Sequence, residues 1–489
     1  MMDDREFDRI LEEEMTDLPL PERTVAQVTP WKRAMSRVVW GLALTTVKLE
    51  FWNLNYLLPA IGMVMLCLGF GVLRRGNKWF RFCWLVSLLR AALEFRALVL
   101  NATIQYSTGE AHGWLLAVSI LVPLSQYIAL WQGIRAVRRR AGQPDQAGAA
   151  GALAVWYGIL CALALLGMGR GLVAWVVILA YGFILRGLYK VSALLDGAGY
   201  EVEAAPLGLS DKMVWRLWFG GLTVCCLLAW LAFGRYPMDW QPRPVNEQAG
   251  LEEIREHLLD LGVPEGVIND LSPQELAYCE EAVYVTVEVE EESPRYGWEE
   301  QPELILTNVA LELPGKRWQF IHHFQWRRGP EGRATGTECV QIWPTYRASE
   351  WDECRPGREM TGRLLVDRED GVYVADYYSL GPEVTRAGFP GQGVRSGEDW
   401  YGAFSWPTVG ENCRGYVTYD TTVITDDIRL VDSWINYVHQ MSWIQYPKTT
   451  ALDFRMSGNS RGTFKKVQGQ IMACVDPDFR DEWEEKYEK

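Results

Sequence analysis

The apolar run from Met213 to Phe233, with Arg216 near its start, constrains this chain more than any other stretch. At a rise of about 1.5 Å per residue it is long enough to cross the hydrocarbon of a bilayer as a helix. The sequence before it is rich in Leu, Ala, Val and Gly, whereas the sequence after it is rich in charge and aromatic residues. The chain therefore divides into a membrane part and a water-soluble part.

The whole chain has 489 residues and a net charge of −14. The acidic balance argues against nucleic acid, because phosphate binding needs a basic face. There is no zinc-ligand spacing, no Gly-rich phosphate loop and no nucleophile elbow, so the reading includes no cofactor, metal or catalytic set. Residues 1–29 form an acidic tail in which Phe7, Ile10, Leu11 and Met15 follow helical spacing until Pro19 and Pro21. The chain start has neither a basic opening nor an early apolar core, which a secretory signal requires.

Residues 30–233 read as a transmembrane bundle of about seven helices, at 34–50, 56–73, 82–100, 113–131, 152–168, 172–189 and 213–233. The first is the weakest, with Arg37 and Lys48 at its ends, and fits a surface or re-entrant helix as an alternative. Loop charges set the orientation. Arg74, Arg75 and Lys78 mark one loop, Arg135 and Arg138 to Arg140 another, and Arg186, Lys190 and Lys212 a third; Phe51–Asn55 and Asn101–His112 carry no Lys or Arg. By the positive-inside rule the amino terminus lies in the cytoplasm and the carboxyl-terminal half outside. Arg90 and Glu94 are four apart on one segment and share a helix face, making them a candidate intramembrane polar pair. His112 has no companion at ligand spacing and reads as an exposed loop residue.

Residues 234–281 comprise a proline-stiffened linker and a small helical unit. Leu251, Ile254, Leu258 and Leu259 form an apolar stripe, and Ser272-Pro273-Gln274-Glu275 carries a capping-box signature. From residue 282 the period changes to two. Val283, Val285, Val287 and Val289 alternate with Tyr284, Thr286, Glu288 and Glu290. Trp318, Phe320, His322, Phe324 and Trp326 alternate with Gln319, Ile321, His323 and Gln325. Residues 282–489 therefore read as an extracytoplasmic, mostly antiparallel β-sandwich, with a short helix near Thr449–Met456 and another at Phe479–Lys489.

Trp318, Trp326, Trp343, Trp351, Trp400, Trp406, Trp434 and Trp443 all fall in that region. They suit either the filling between two sheets or a sugar- or peptide-binding face. Glu299, Glu300, Glu338, Glu411 and Asp432 are carboxylates from which a glycosidase pair could be drawn. His322 and His323 point to opposite faces of a strand, so with His439 as the remaining candidate they do not suggest a metal site. Cys225 and Cys226 read as helix packing, and Cys339 with Cys413 as the candidate disulfide of an exported domain.

The passage from Pro30-Trp31-Lys32-Arg33 through Trp40-Gly41-Leu42-Ala43-Leu44-Thr45-Thr46 to Leu73-Arg74-Arg75 resembles multi-pass membrane proteins of Clostridia-type bacteria. Gly336-Thr337-Glu338-Cys339 and Asp432-Ser433-Trp434-Ile435-Asn436-Tyr437 are similar to the same group. The resemblance implies a bacterial cytoplasmic membrane and transfers no catalytic residue. The expected partners are the lipid bilayer and an extracytoplasmic ligand or protein. Three functions fit: a membrane-anchored binding or sensing protein, a transporter or intramembrane enzyme built on Arg90 and Glu94, and a surface carbohydrate-active hydrolase.

Overall fold

The structure, a computed structural model, describes residues 31–46, 49, 51–106, 113–144, 148–166, 172–197, 208–291, 304–327, 336–348, 353–387, 395–442, 445–455 and 463–480. Two compact units divide the chain. One comprises Met1–Leu100 with Gly109–Leu228, the other Asn101–Thr108 with Ala229–Lys489.

The first unit is helical: α1 (Trp31–Thr46), α2 (Leu54–Leu73), α3 (Lys78–Leu100), α4 (Gly113–Arg140), α5 (Gly148–Leu165), α6 (Leu172–Gly197) and most of α7 (Asp211–Phe233). Among the described residues, four helices are long and apolar enough to cross a membrane: Leu54–Leu73, Ala117–Arg140, Val173–Leu195 and Asp211–Phe233. The expected count of about seven spans is thus not supported, and the reason is physical. Helix α1 has 16 residues, about 24 Å against a hydrocarbon thickness of about 30 Å. Helix α3 carries Lys78, Arg81, Arg90, Glu94 and Arg96 within its length. The apolar part of α5, Gly148–Ala164, is short.

Helices α1 and α2 meet through glycines. A Cβ on Gly41 would lie 2.9 Å from the Gly62 carbonyl oxygen, and one on Gly62 would lie 2.9 Å from the Gly41 oxygen. Such small-residue contacts let backbones touch where no hydrophobic gain drives association. Helix α7 buries none of its residues within the fold, and its Val224, Leu227 and Leu228 are more than half exposed. Apolar surface of that extent is disfavoured in water at about 25 cal/mol per Å² and suits lipid.

The second unit is mostly β. Its strands are β1 (Gln241–Pro242), β2 (Tyr284–Glu291), β3 (Leu304–Leu313), β4 (Arg317–Trp326), β5 (Glu338–Trp343), β6 (Cys354–Pro356), β7 (Thr361–Arg368), β8 (Gly371–Ala375), β9 (Ser379–Ala387), β10 (Arg395–Phe404), β11 (Glu411–Val423), β12 (Leu430–Gln440) and β13 (Phe464–Cys474). They form two antiparallel sheets. The first runs β1-β8-β7-β11-β4-β3-β2, with β6 also on β11, and the second runs β13-β12-β5-β10-β9. The period-two patterns of β2 and β4 become faces of the first sheet, with β3 between them. Trp318, Phe320, Phe324 and Trp326 turn inward against Val340, Ile342, Phe404, Ile435 and Tyr437 of the second sheet. Val309, Leu311 and Ile321 turn outward against the helical unit, α8 (Glu252–Leu261), α9 (Glu265–Asp270) and α10 (Pro273–Tyr278). The first sheet is therefore buried on both faces.

Polar groups pin that helical unit. The capping box forms: Ser272 Oγ accepts from Glu275 N, and Glu275 Oε2 accepts from Ser272 N. Glu275 also accepts from the hydroxyls of Thr361 and Tyr416 on the first sheet. Asp270, at the end of α9, accepts from His323 Nε2 at 2.8 Å and from Arg414 Nε at 2.9 Å. Burial alone would raise its pKa, but His323 and Arg414 outweigh that and hold it below the ordinary carboxylate value.

At one side of the sandwich, glutamates of β2 reach the outer edge of β13. Glu290 Oε1 accepts from Gln470 N at 3.1 Å and Glu288 Oε1 from Met472 N at 3.4 Å. Side-chain acceptors there take backbone donors that a further strand would otherwise use.

Candidate ligand-binding face

The sequence candidates scatter. Arg90 of α3 donates through Nη1 to Gln126 Oε1 of α4 at 2.6 Å, and Gln126 Nε2 donates to Ser87 Oγ at 2.7 Å. Arg90 thus links two helices, while Glu94 lies half-buried one turn further along α3. Of the glycosidase candidates, Glu299 and Glu300 lie outside the described residues, as do His112, Trp351 and Trp443. Glu338 is buried on β5, where its Oε1 bonds His439 Nδ1 at 2.6 Å. Burial raises the Glu338 pKa, opposed chiefly by His439. Glu411 begins β11 in the other sheet and is exposed, whereas Asp432 is half-buried on β12. The described carboxylates, Glu338, Glu411 and Asp432, lie on three different strands in two sheets and do not converge.

The expected disulfide is corrected. Cys339 and Cys413 are both thiols. Cys339 packs with Val438, Ala451 and Phe464, whereas Cys413 belongs to the core between the sheets. They occupy different clusters on different sheets and are not joined.

His322 and His323 do face opposite ways. His323 goes to Asp270, and His322 enters the core between the sheets. There His322 Nδ1 bonds Asn308 Oδ1 at 2.7 Å and Nε2 bonds Ser433 Oγ at 2.8 Å. The tautomer that satisfies both has the proton on Nδ1, so Nε2 accepts the serine hydroxyl. Ser433, His322 and Asn308 have the connectivity of a nucleophile, base and orienting group. All three are fully buried, and burial pushes the His322 pKa down to about 3. No substrate reaches Ser433 Oγ, so the trio is a polar tie between the sheets.

The tryptophans divide. Trp318, Trp326, Trp400 and Trp406 fill the core, and Trp343 and Trp434 lie half-buried on the outer face of the second sheet. Register aligns that face in rows. Gln470, Trp434 and Trp343 stand side by side across β13, β12 and β5. Gln468, Asn436, Gln341 and Tyr401 form the next row. The two indoles pack edge to face, with centroids 6.4 Å apart and planes at 71°. Each is oriented by a carboxylate: Trp343 Nε1 donates to Asp399 Oδ2 at 3.0 Å and Trp434 Nε1 to Asp432 Oδ2 at 2.9 Å. Asp399 Oδ2 also accepts from Gln341 Nε2 and the Tyr401 hydroxyl, at 3.1 and 3.0 Å. Burial, then Asp399, push the Tyr401 pKa up, which keeps its hydroxyl a donor. A rigid inner row thus supports a pair of tryptophans.

A cleft of about 600 Å³ elsewhere in this unit is lined by Arg235, Tyr236, Trp240, Tyr378 and Trp406 among others. Its guanidinium donates to the Trp406 carbonyl, and Trp240 stacks on Trp406. It lacks the graded amide and carboxylate row of the sheet face.

No protein-family model matches the chain, and no curated protein matches it either. Solved structures give faint similarities. One, from work on pH-induced modulation of Streptococcus parasanguinis adhesion by Fap1 fimbriae, is 11% identical with TM-score 0.19, covering 32% of this chain and 75% of that one. AvmM, which catalyses macrocyclization in alchivemycin A biosynthesis, is 10% identical with TM-score 0.18, covering 40% and 90%. The collagen-binding domain of Erysipelothrix rhusiopathiae surface protein RspB is 9% identical with TM-score 0.16, covering 38% and 59%. Likenesses this slight carry no argument about what the chain does.

Proposed function

We propose that the chain is a multi-pass, membrane-anchored binding or sensing protein of a bacterial cytoplasmic membrane. Its β domain lies outside the cytoplasm and binds ligand on the outer face of the second sheet. One observation supports the sidedness most: Asn101–Thr108, in the segment between α3 and α4 that is free of Lys and Arg, belongs to the same compact unit as the β domain. Lys448 N donates to Asn101 O at 2.7 Å, and Ile104 packs with Tyr236 and Ala403. The positive-inside rule assigns that segment to the far side from the arginine-rich loops.

Parity then bears on the helix count. A chain that leaves this segment and returns to the same side crosses the bilayer an even number of times. Ala117–Arg140, Val173–Leu195 and Asp211–Phe233 supply three crossings, so α5 supplies the fourth. With 18 residues it measures about 27 Å, which a locally thinned bilayer accommodates.

Thiol labelling tests the sidedness. Val409 is 71% exposed, and no native cysteine is exposed. Val409→Cys should react with an impermeant maleimide on intact spheroplasts, and Pro144→Cys, beyond the α4 arginines, only after lysis. The reverse pattern would refute the orientation.

A further inference from the structure

The chemical class of the ligand follows from the same face, and this step rests on that face being the binding surface. We infer that Trp343 and Trp434 form a platform for a neutral, hydroxyl-rich glycan.

Two indole planes at 71° make a floor and a wall. A pyranose presents an apolar C–H face and a polar rim, so it can stack on one ring while its edge meets the other. Both indole N–H groups are already engaged by Asp432 and Asp399, which fixes the ring planes before any ligand arrives. Around the rings stand Gln470, half-buried beside Trp434, and exposed Gln468 in the next row. Amides both donate and accept, as hydroxyls do. Gln470 Nε2 already leans on Asp432 Oδ2 at 3.4 Å, so a carboxylate and an amide act together at the platform's edge.

Charge narrows the choice. The platform carries Asp432 and Asp399, and Glu383 is exposed on β9. The neighbouring cations are engaged: Arg455 pairs with Glu383 and lies 4.2 Å over the Tyr401 ring, and Lys466 Nζ donates to the Arg455 carbonyl. Acidic sugars and phosphates therefore meet repulsion. A peptide added as an extra strand would need a sheet edge, and the β13 edge is capped by Glu288 and Glu290. A neutral glycan asks for neither a cation nor an edge.

The test is calorimetric titration of the full-length protein in nanodiscs with cellopentaose, xylopentaose, laminaripentaose and chitopentaose. Trigalacturonate and decaproline are the contrasting probes. At least one neutral oligosaccharide should bind, Trp434→Ala should weaken it by about tenfold or more, and trigalacturonate should not bind. Gln468→Ala, on an exposed side chain, should weaken it about threefold and guards against a folding defect in the tryptophan variant. Binding of decaproline in place of the sugars, absence of binding by all four sugars, or affinity unchanged in Trp434→Ala would each overturn the inference. Titration of purified protein is indifferent to sidedness, so its failure is separable from a failure of the thiol-labelling experiment.

Discussion

Asp270 is a position where loss of one carboxylate should cost several kcal/mol, about 3–5 for a buried ion pair. Its side chain is 3% exposed and holds His323 and Arg414, which are themselves buried. Asp270→Ala leaves both donors in place without their shared acceptor. Removing one partner of a buried ion pair costs about 3–5 kcal/mol, because the other charge stays desolvated. Arg414 keeps Asp367 at 2.7 Å and the Asn412 carbonyl at 2.9 Å, so the loss belongs near the lower end, about 3 kcal/mol. For a unit of this size each kcal/mol shifts the midpoint by about 2–4 °C, giving a fall of about 6–12 °C. The readout is the thermal transition of full-length protein in detergent, followed by near-ultraviolet circular dichroism. The sign with pH is also fixed. A carboxylate held below its unfolded value contributes stability above about pH 4 and loses it as the pH falls through the lowered folded value. In the wild-type-minus-variant difference this contribution should be full at pH 7 and shrink below pH 4. A fall of less than about 2 °C at pH 7, or a difference that grows on acidification below pH 4, would refute the reasoning.

Other outcomes follow from the same contacts. His322 is neutral when folded, with a value near 3. The unfolded chain takes up its proton below about pH 6.5, so stability should decline by up to about 1.4 kcal/mol per pH unit from there toward pH 4. His322→Gln should flatten that slope in acid-titrated melts. Gly62→Leu forces a side chain against the Gly41 carbonyl and Thr45 Cγ2, 2.9 and 2.7 Å from the new Cβ. It should destabilise the helical unit by about 1–3 kcal/mol, read as a lower melting temperature in detergent. Replacing Glu288 and Glu290 together by Ala uncovers the β13 edge and should raise the self-associated fraction in analytical ultracentrifugation; a purely monomeric variant would contradict the capping role.

The strands that could be read from the sequence are those whose two faces differ. β2 and β4 match the alternating stretches almost residue for residue: β2 sets Val285 and Val287 against the helical unit and Thr286, Glu288 and Glu290 on its other face, and β4 alternates large aromatic rings with Gln319, Ile321, His323 and Gln325. β13 is not legible in the sequence: Phe464-Lys465-Lys466-Val467-Gln468-Gly469 carries lysines, an amide and a glycine on a sheet edge, where the pattern fades. β9 and β10 are obscured for a similar reason, with Gly381, Pro382 and Gly397 interrupting them. The opposite orientations of His322 and His323 were legible from strand geometry. Their partners Asn308, Ser433 and Asp270 were not, because register brings them together from distant parts of the chain. The cysteine pair misled because strand-like surroundings say nothing about which sheet a strand joins. The tryptophan face was half legible: the alternatives of filler and platform were both present, and only the faces of β5 and β12 separate Trp343 and Trp434 from their buried counterparts.

Proteins held in a membrane diffuse in two dimensions with their domains at a common height, so identical strands of neighbouring copies collide repeatedly in matching orientation. Such crowding favours lateral growth of a sheet from one molecule into the next. With Glu288 and Glu290 lying across the backbone donors of β13, a second copy arriving there meets two carboxylates in place of open N–H groups. Many copies can therefore share one patch of membrane while each keeps its own pair of sheets, closed at the β13 edge.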